Sequence, residues 1–200
     1  MRAAVLVPVK GFDQAKARLA GYLSPLQRRT LAGRMAALVV AAGAPLDVYV
    51  VCDDDEVAAW ADAHGAVPLL RPGLGLNGAV ASGVAALAAA GFDVAVVAHA
   101  DLPLAADLAS LAWWPGVTLV PDRRDDGTNV AVVPAASGFG FSYGAASFRR
   151  HGAEAVRLGL SLRVLRQPRL GWDVDVPDDL DHPELRGLLP SLPTSPASRP

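Results

Sequence analysis

The feature that most constrains this chain is an alternation of short apolar runs with longer helix-like segments, kept up from end to end. AAVLVPV is a continuous apolar run of the kind found in strands buried on both faces. In SPLQRRTLAGRMAALVVAAG, Ser24 is placed as an N-cap, Pro25 at the first helical position and Gln27 to complete a capping box. LDVYVVCD reads as the next strand, DDEVAAWADAHG as a helix closed by Gly65, VPLLR as a short strand, and NGAVASGVAALAAAG as a helix for Asn77 to cap. FDVAVVAHAD is again strand-like, DLASLAWW a short helix, VTLVPD and NVAVVP strands, and SFRRHGAEAVRLG a helix. LRVLR and GWDVDV read as extended, and PDDLDHPELRGLL opens as a helix at Pro177. The pattern predicts a single α/β domain of three layers, a mostly parallel mixed sheet with helices on both faces in the Rossmann-like manner. That domain is expected over residues 1–187, with the Pro- and Ser-rich 188–200 as a disordered tail.

Composition narrows the function classes. A formal net charge of −2 argues against a nucleic-acid partner, which needs a basic footprint. No apolar run approaches the roughly twenty residues that span a bilayer, and MRAAVLVPVKG lacks the features of a signal peptide, so no membrane role is expected. The single cysteine, Cys52, suits a reducing cytoplasm and reads as a buried structural thiol.

Open sheets of this kind bind ligands beyond the carboxyl ends of their strands. The residues that follow each strand are therefore the informative ones. After the first strand, Lys10, Gly11, Lys16 and Arg18 could cradle a polyphosphate, because glycine lets backbone N–H groups approach and lysines supply point charges. Of the chain's 18 basic residues only Lys10 and Lys16 are lysines, which favours that reading over a solvated turn. The segment is not a Walker A loop. In R-P-G-L-G-L-N-G, Pro72, Gly73, Gly75 and Asn77 form a turn into a helix, alone a weak signal.

Asp101, ending a strand in A-H-A-D-L-P, is a natural Mg²⁺ ligand, with helix capping as the competing explanation. His99 points to the same side but is the wrong donor for magnesium. Arg123, Arg124, Gly127 and Thr128 lie in a polar loop, and Gly144 and Ser147 open a helix, where anions bind. In W-D-V-D-V-P-D-D-L, Asp173 and Asp175 alternate with valines and, on a strand, would share one face. Asp175 is the preferred second metal ligand, and Asp178 and Asp179 are explained by the macrodipole of the helix they start. Lysines, strand-end carboxylates and anion-binding helix starts on one sheet edge suit magnesium-dependent phosphoryl or nucleotidyl transfer, which rests on positioning and charge neutralisation.

Seven segments occur in order: V-P-V-K-G-F-x-x-A-K-x-R-L, L-S-P-x-x-R, P-G-x-G-L-N-x-A, A-D-L-P, P-D-R-x-x-D-G-T-N, F-x-Y-G-x-x-S-F-x-x-H and D-V-D-x-P-x-D-L. In them the chain resembles the guanylyltransferases of coenzyme F(420) biosynthesis, from about Arg2 to Leu180. The resemblance implies a nucleotidyltransferase-like fold. It implies GTP, Mg²⁺ and a three-carbon phospho-acid as partners, with pyrophosphate released. Phosphoenolpyruvate is favoured over 2-phospho-L-lactate and 3-phospho-D-glycerate, and a homodimer is left open. By the same resemblance Lys10, Lys16 and Arg18 would contact the triphosphate, the Pro72–Asn77 segment the guanosine, Asp101 and Asp175 the metal, and Thr128, Gly144 and Ser147 the acceptor. The rival readings are a glycosyltransferase using D-V-D as its metal motif and a nucleotide-binding protein without catalysis.

Overall fold

The computed structural model describes residues 1–185, so the expected tail at 188–200 and the domain limit at 187 lie outside the described residues. Its strands are β1 (Ala3–Pro8), β2 (Asp47–Cys52), β3 (Val67–Leu70), β4 (Val94–Ala98), β5 (Val117–Pro121), β6 (Thr128–Pro134) and β7 (Leu162–Val164). The α-helices are α1 (Pro25–Ala42), α2 (Asp55–Ala63), α3 (Gly75–Ala89) and α4 (Ser147–Arg157). The strands form one sheet in the order β3-β2-β1-β4-β6-β5-β7. Every neighbouring pair is parallel except β4–β6 and β5–β6, so β6 alone runs against the rest.

Alternate residues of β1 feed two cores. Ala3, Val5 and Val7 pack with α1 and α2 on one face, while Ala4 and Leu6 pack with α3 and Ala155 of α4 on the other. This is the three-layer arrangement that apolar runs without polar alternation demand. On the second face α3 lies very close to β1: a Cβ added to Gly83 would sit 2.7 Å from Leu6 Cδ2. A third cluster joins Leu19, Leu23, Leu31, Met35, Leu104, Val174 and Leu185, and so ties the loop after β1 to the end of the described chain.

The local signals held at several ends. Ser24 and Gln27 form the reciprocal capping box, with Gln27 N–H donating to Ser24 Oγ at 3.3 Å and Ser24 N–H to Gln27 Oε1 at 2.9 Å. Ser147 opens α4 as expected, with Ala146, in the left-handed region, before it. Three expectations differ. Helix α3 starts two residues before Asn77, after Leu74, so Asn77 lies inside the first turn and its side chain caps nothing there. Leu108–Trp113 and Pro177–Asp181 are 3-10 turns rather than α-helical. The Asp173–Val176 stretch joins no sheet, because its N–H groups have other partners: Val174 donates to the Asp101 carbonyl at 3.2 Å, and Asp175 and Val176 to the Asp179 carboxylate at 2.6 and 2.8 Å. No helix among the described residues is long and apolar enough to cross a membrane.

Candidate active site

Strand order reverses between β1 and β4, which opens a crevice at their carboxyl ends. The loop after β1 and the His99–Asp101 turn after β4 form its walls. Because β6 runs backwards, Thr128 at its start reaches the same edge. Three adjoining cavities occupy that edge. One of about 250 Å³ is lined by Lys10, Lys16, His99 and Asp101. A second, of about 330 Å³, lies over the ends of β1, β2 and β3, against Lys10, Arg71 and Gly75. A third, of about 480 Å³, is bounded by Arg18, Asp101, Arg124, Thr128, Gly144, Ser147, Asp173 and Asp175. Leu76 borders all three, so they form one cleft.

At the junction of the first and third cavities sits a charge cluster. Lys16 Nζ donates to Asp101 Oδ2 at 2.6 Å and to Asp175 Oδ1 at 3.2 Å, and Arg18 reaches Asp175 Oδ2 at 3.1 Å. Burial would lower the Lys16 ammonium, but the two carboxylates override it and hold it above its ordinary value. Burial likewise pushes Asp101 up, and Lys16 with His99 pulls it below the usual carboxylate range. Lys16 has φ 54°, an uncommon backbone for a lysine, and Phe12 anchors the loop by packing edge-on to Trp60 at 5.3 Å. Leu19 and Val174 belong to the third core cluster, and this shared core sets Lys16 and Arg18 against Asp175. Asp101 Oδ1 is buried without a partner.

Lys10 is exposed at the rim shared by the first two cavities. Gly11 packs against β2's end, where an added Cβ would lie 3.2 Å from Asp54 Oδ2. Pro72, Gly73 and Gly75 form an exposed turn beside the second cavity. Asn77 does something the sequence did not suggest: its Oδ1 accepts the Tyr143 N–H at 2.6 Å, tying α3 to the loop that carries Gly144. Gly144 itself has φ 114°, a conformation that favours glycine.

The start of α4 is less open than a bare helix terminus. Asp126 takes the Ala146 N–H on its carboxylate and the Phe148 N–H on its carbonyl, both at 3.0 Å, and the Ser147 N–H goes to Gly144 at 3.0 Å. What Thr128 and Ser147 present to the third cavity is therefore hydroxyl chemistry. Their oxygens lie 3.4 Å apart, and both residues are buried.

Several residues hold the site in roles the sequence did not suggest. Asp179, fully buried, pairs with Arg123 and accepts both the Asp175 and Val176 N–H groups, so it orients the D-V-D segment rather than merely offsetting a dipole. Arg123 lies over Trp172 at 4.3 Å and donates to the Asp173 carbonyl, which makes it a brace and not a ligand group. Arg150 clamps the loop that carries Gly144 by donating to the Ser142, Tyr143 and Ala145 carbonyls. Asp173 lines the third cavity with its carboxyl pushed up by burial and by Asp101. The spacing D-x-x-x-D between Asp175 and Asp179 carried the one available signal.

A family profile described as "Guanylyl transferase CofC like" matches residues 3–187. The chain belongs to this family. A curated relative, the phosphoenolpyruvate guanylyltransferase of Sphaerobacter thermophilus, is 40% identical and is aligned over 95% of each chain. Among solved structures, a Desulfovibrio desulfuricans protein described as a nucleotide-diphospho-sugar transferase superposes with a TM-score of 0.71 at 18% identity, over 88% of this chain and 84% of the other. A 4-diphosphocytidyl-2C-methyl-D-erythritol synthase superposes with a TM-score of 0.60 at 15% identity, over 94% of this chain and 98% of the other. At those identities the two structures speak for the fold alone, which is nucleotidyltransferase-like. The CofC-like family assignment makes the chain a guanylyltransferase and removes the glycosyltransferase and non-catalytic readings.

Proposed function

We propose that this CofC-like chain transfers GMP from GTP to the phosphate of a three-carbon phospho-acid, releasing pyrophosphate, in coenzyme F(420) biosynthesis. Phosphoenolpyruvate is the favoured acceptor, ahead of 2-phospho-L-lactate and 3-phospho-D-glycerate. The observation that carries the reading is the Lys16–Asp101–Asp175 cluster, set where a cavity on the nucleotide side meets one on the acceptor side. The name of the Sphaerobacter relative supports the choice of acceptor.

In this reading the second cavity takes the guanosine near Gly73 and Gly75. Lys10, Lys16 and Arg18 meet the triphosphate, and Thr128, Gly144 and Ser147 the acceptor. The donor set fits Mg²⁺: two carboxylates converge on one cationic position, and Asp101 keeps a buried oxygen free of other partners. No group of three or more His, Cys, Asp or Glu side chains among the described residues closes a metal site. That also fits an ion usually held by one or two carboxylates plus substrate phosphates. When bound, Mg²⁺ would neutralise phosphate charge. The chain's own lysines would steady the departing pyrophosphate, and an acceptor phosphate, already anionic, needs no general base. Activity is placed in the cytoplasm.

Pyrophosphate release from GTP and Mg²⁺, with each of the three acids offered separately and the product weighed by mass spectrometry, tests the proposal. Release with phosphoenolpyruvate and a product of matching mass is expected. GTP binding without release for any acid would overturn it.

A further inference from the structure

Resting on that acceptor assignment, a buried histidine outside it has a role to explain. His151 is fully buried on α4, walled by Tyr143, Phe139 and Phe141 with ring centroids 4.9, 5.8 and 6.1 Å away. Both of its ring nitrogens have partners. Nε2 receives the Ser142 backbone N–H at 2.9 Å, and Nδ1 lies 3.0 Å from Thr128 Oγ1. A backbone amide can only donate, so Nε2 is the bare nitrogen of a neutral ring. Nδ1 must then carry the hydrogen, and it donates to Thr128. A doubly protonated ring would set two donors, Nε2–H and the Ser142 N–H, against each other.

The consequence reaches the cavity. Thr128 Oγ1 accepts from His151 and lies 3.4 Å from Ser147 Oγ. The two hydroxyls carry two hydrogens, of which their mutual contact uses one. His151 can take neither, since its facing nitrogen is already a donor. Among the described residues neither hydroxyl has a further acceptor, and both residues border the third cavity. One hydroxyl hydrogen is thus left to point into that cavity. We propose that His151 is a positioning residue that, through its fixed Nδ1–H tautomer, makes the Thr128–Ser147 hydroxyl pair a net hydrogen-bond donor to an anionic oxygen of the acceptor. Were His151 to accept instead, the pair could settle with no hydrogen for the ligand, and selection for an anion would be lost.

Two near-isosteric variants separate the two ring contacts. In His151→Gln the side-chain oxygen can still take the Ser142 N–H from the Nε2 position, but nothing donates to Thr128 Oγ1, so the pair's spare hydrogen is no longer held toward the cavity. In His151→Asn the amide reaches the Nδ1 position and restores the donor. The expected result is a rise of roughly tenfold in the acceptor KM for His151→Gln, as for loss of one hydrogen bond to a charged group. The GTP KM and the melting temperature stay near wild type, and His151→Asn recovers most of the acceptor KM. An unchanged acceptor KM in folded His151→Gln overturns the proposal. So does an equal rise in the acceptor and GTP constants. An independent readout needs no turnover: ¹⁵N-detected NMR of the wild-type ring at neutral pH should show a protonated Nδ1 and a bare Nε2. The opposite tautomer overturns the role of His151 whichever acid is the substrate. The expected tautomer in a protein that turns over none of the three acids would instead locate the failure in the assigned acceptor.

Discussion

At the scale of single residues, the site depends on charges that are held close in a partly buried place. Asp101→Asn keeps the shape of the side chain but removes the negative charge that Lys16 answers at 2.6 Å. Its guanylyl transfer should fall by at least about a hundredfold, as when one preorganised electrostatic contact is lost. Circular dichroism should remain that of the folded chain; activity within threefold of wild type would remove Asp101 from the reaction centre. His151 carries a second prediction. Burial, with smaller pushes from His99 and Arg150 against a pull from Glu154, takes its pKa down to about 4. The unfolded ring titrates near 6.5, so below that pH the unfolded chain binds the extra proton and the folded one resists it. The stability His151 confers is therefore complete above about pH 6.5 and is lost as pH falls toward about 4, by an amount on the order of 3 kcal/mol. Urea midpoints measured between about pH 7.5 and 4.5 should fall in wild type more than in His151→Gln. Parallel curves would show that the ring does not resist protonation.

At the scale of elements, strands and long helices were legible because their signals are local: apolar runs for β1, β2 and β4, and Ser24, Pro25 and Gln27 for α1. What stayed hidden depends on partners distant in sequence. Asn77 looks like a cap until Tyr143, 66 residues away, donates to it, and D-V-D looks like a strand until Asp179 takes its N–H groups. Lysine usage and strand-end position drew attention to Lys16, Asp101 and Asp175, but their meeting in one cluster required the fold. Asp179→Ala should leave Arg123 without its buried partner and two N–H groups unpaired, costing about 3–5 kcal/mol. Chemical denaturation reads this directly, and a loss under 1 kcal/mol would show that Arg123 and the two N–H groups find other partners. Helix α3 is constrained differently. Gly83→Val forces a branched side chain into the space held by Leu6 and should destabilise by about 1–3 kcal/mol or more. A melting temperature at or above wild type would show that α3 can shift outward at no cost.

At the scale of the whole molecule, one cleft collects groups from both halves of the sheet, so ligand binding should brace the entire domain. With Mg²⁺ and GTP at about 100 times Kd, linkage adds about 2.7 kcal/mol, which for a chain of this size raises Tm by roughly 5–10 °C. Differential scanning calorimetry with GTP, GTP plus Mg²⁺, and phosphoenolpyruvate alone would compare the contributions. No shift with GTP and Mg²⁺ would argue against nucleotide binding in this cleft.

The pairing of Lys16 with Asp175 spans 159 positions, and it rests on the third apolar cluster, to which Leu19 and Val174 both belong. On the ribosome, which makes the chain from its first residue onward, the sheet has all seven strands before Asp175 has been added. A nascent chain can therefore have every strand of its sheet and still lack one of the two carboxylates that meet Lys16. With Asp175 in its proposed role, such a chain could hold nucleotide without consuming it until Asp175 has been added and packed against Lys16.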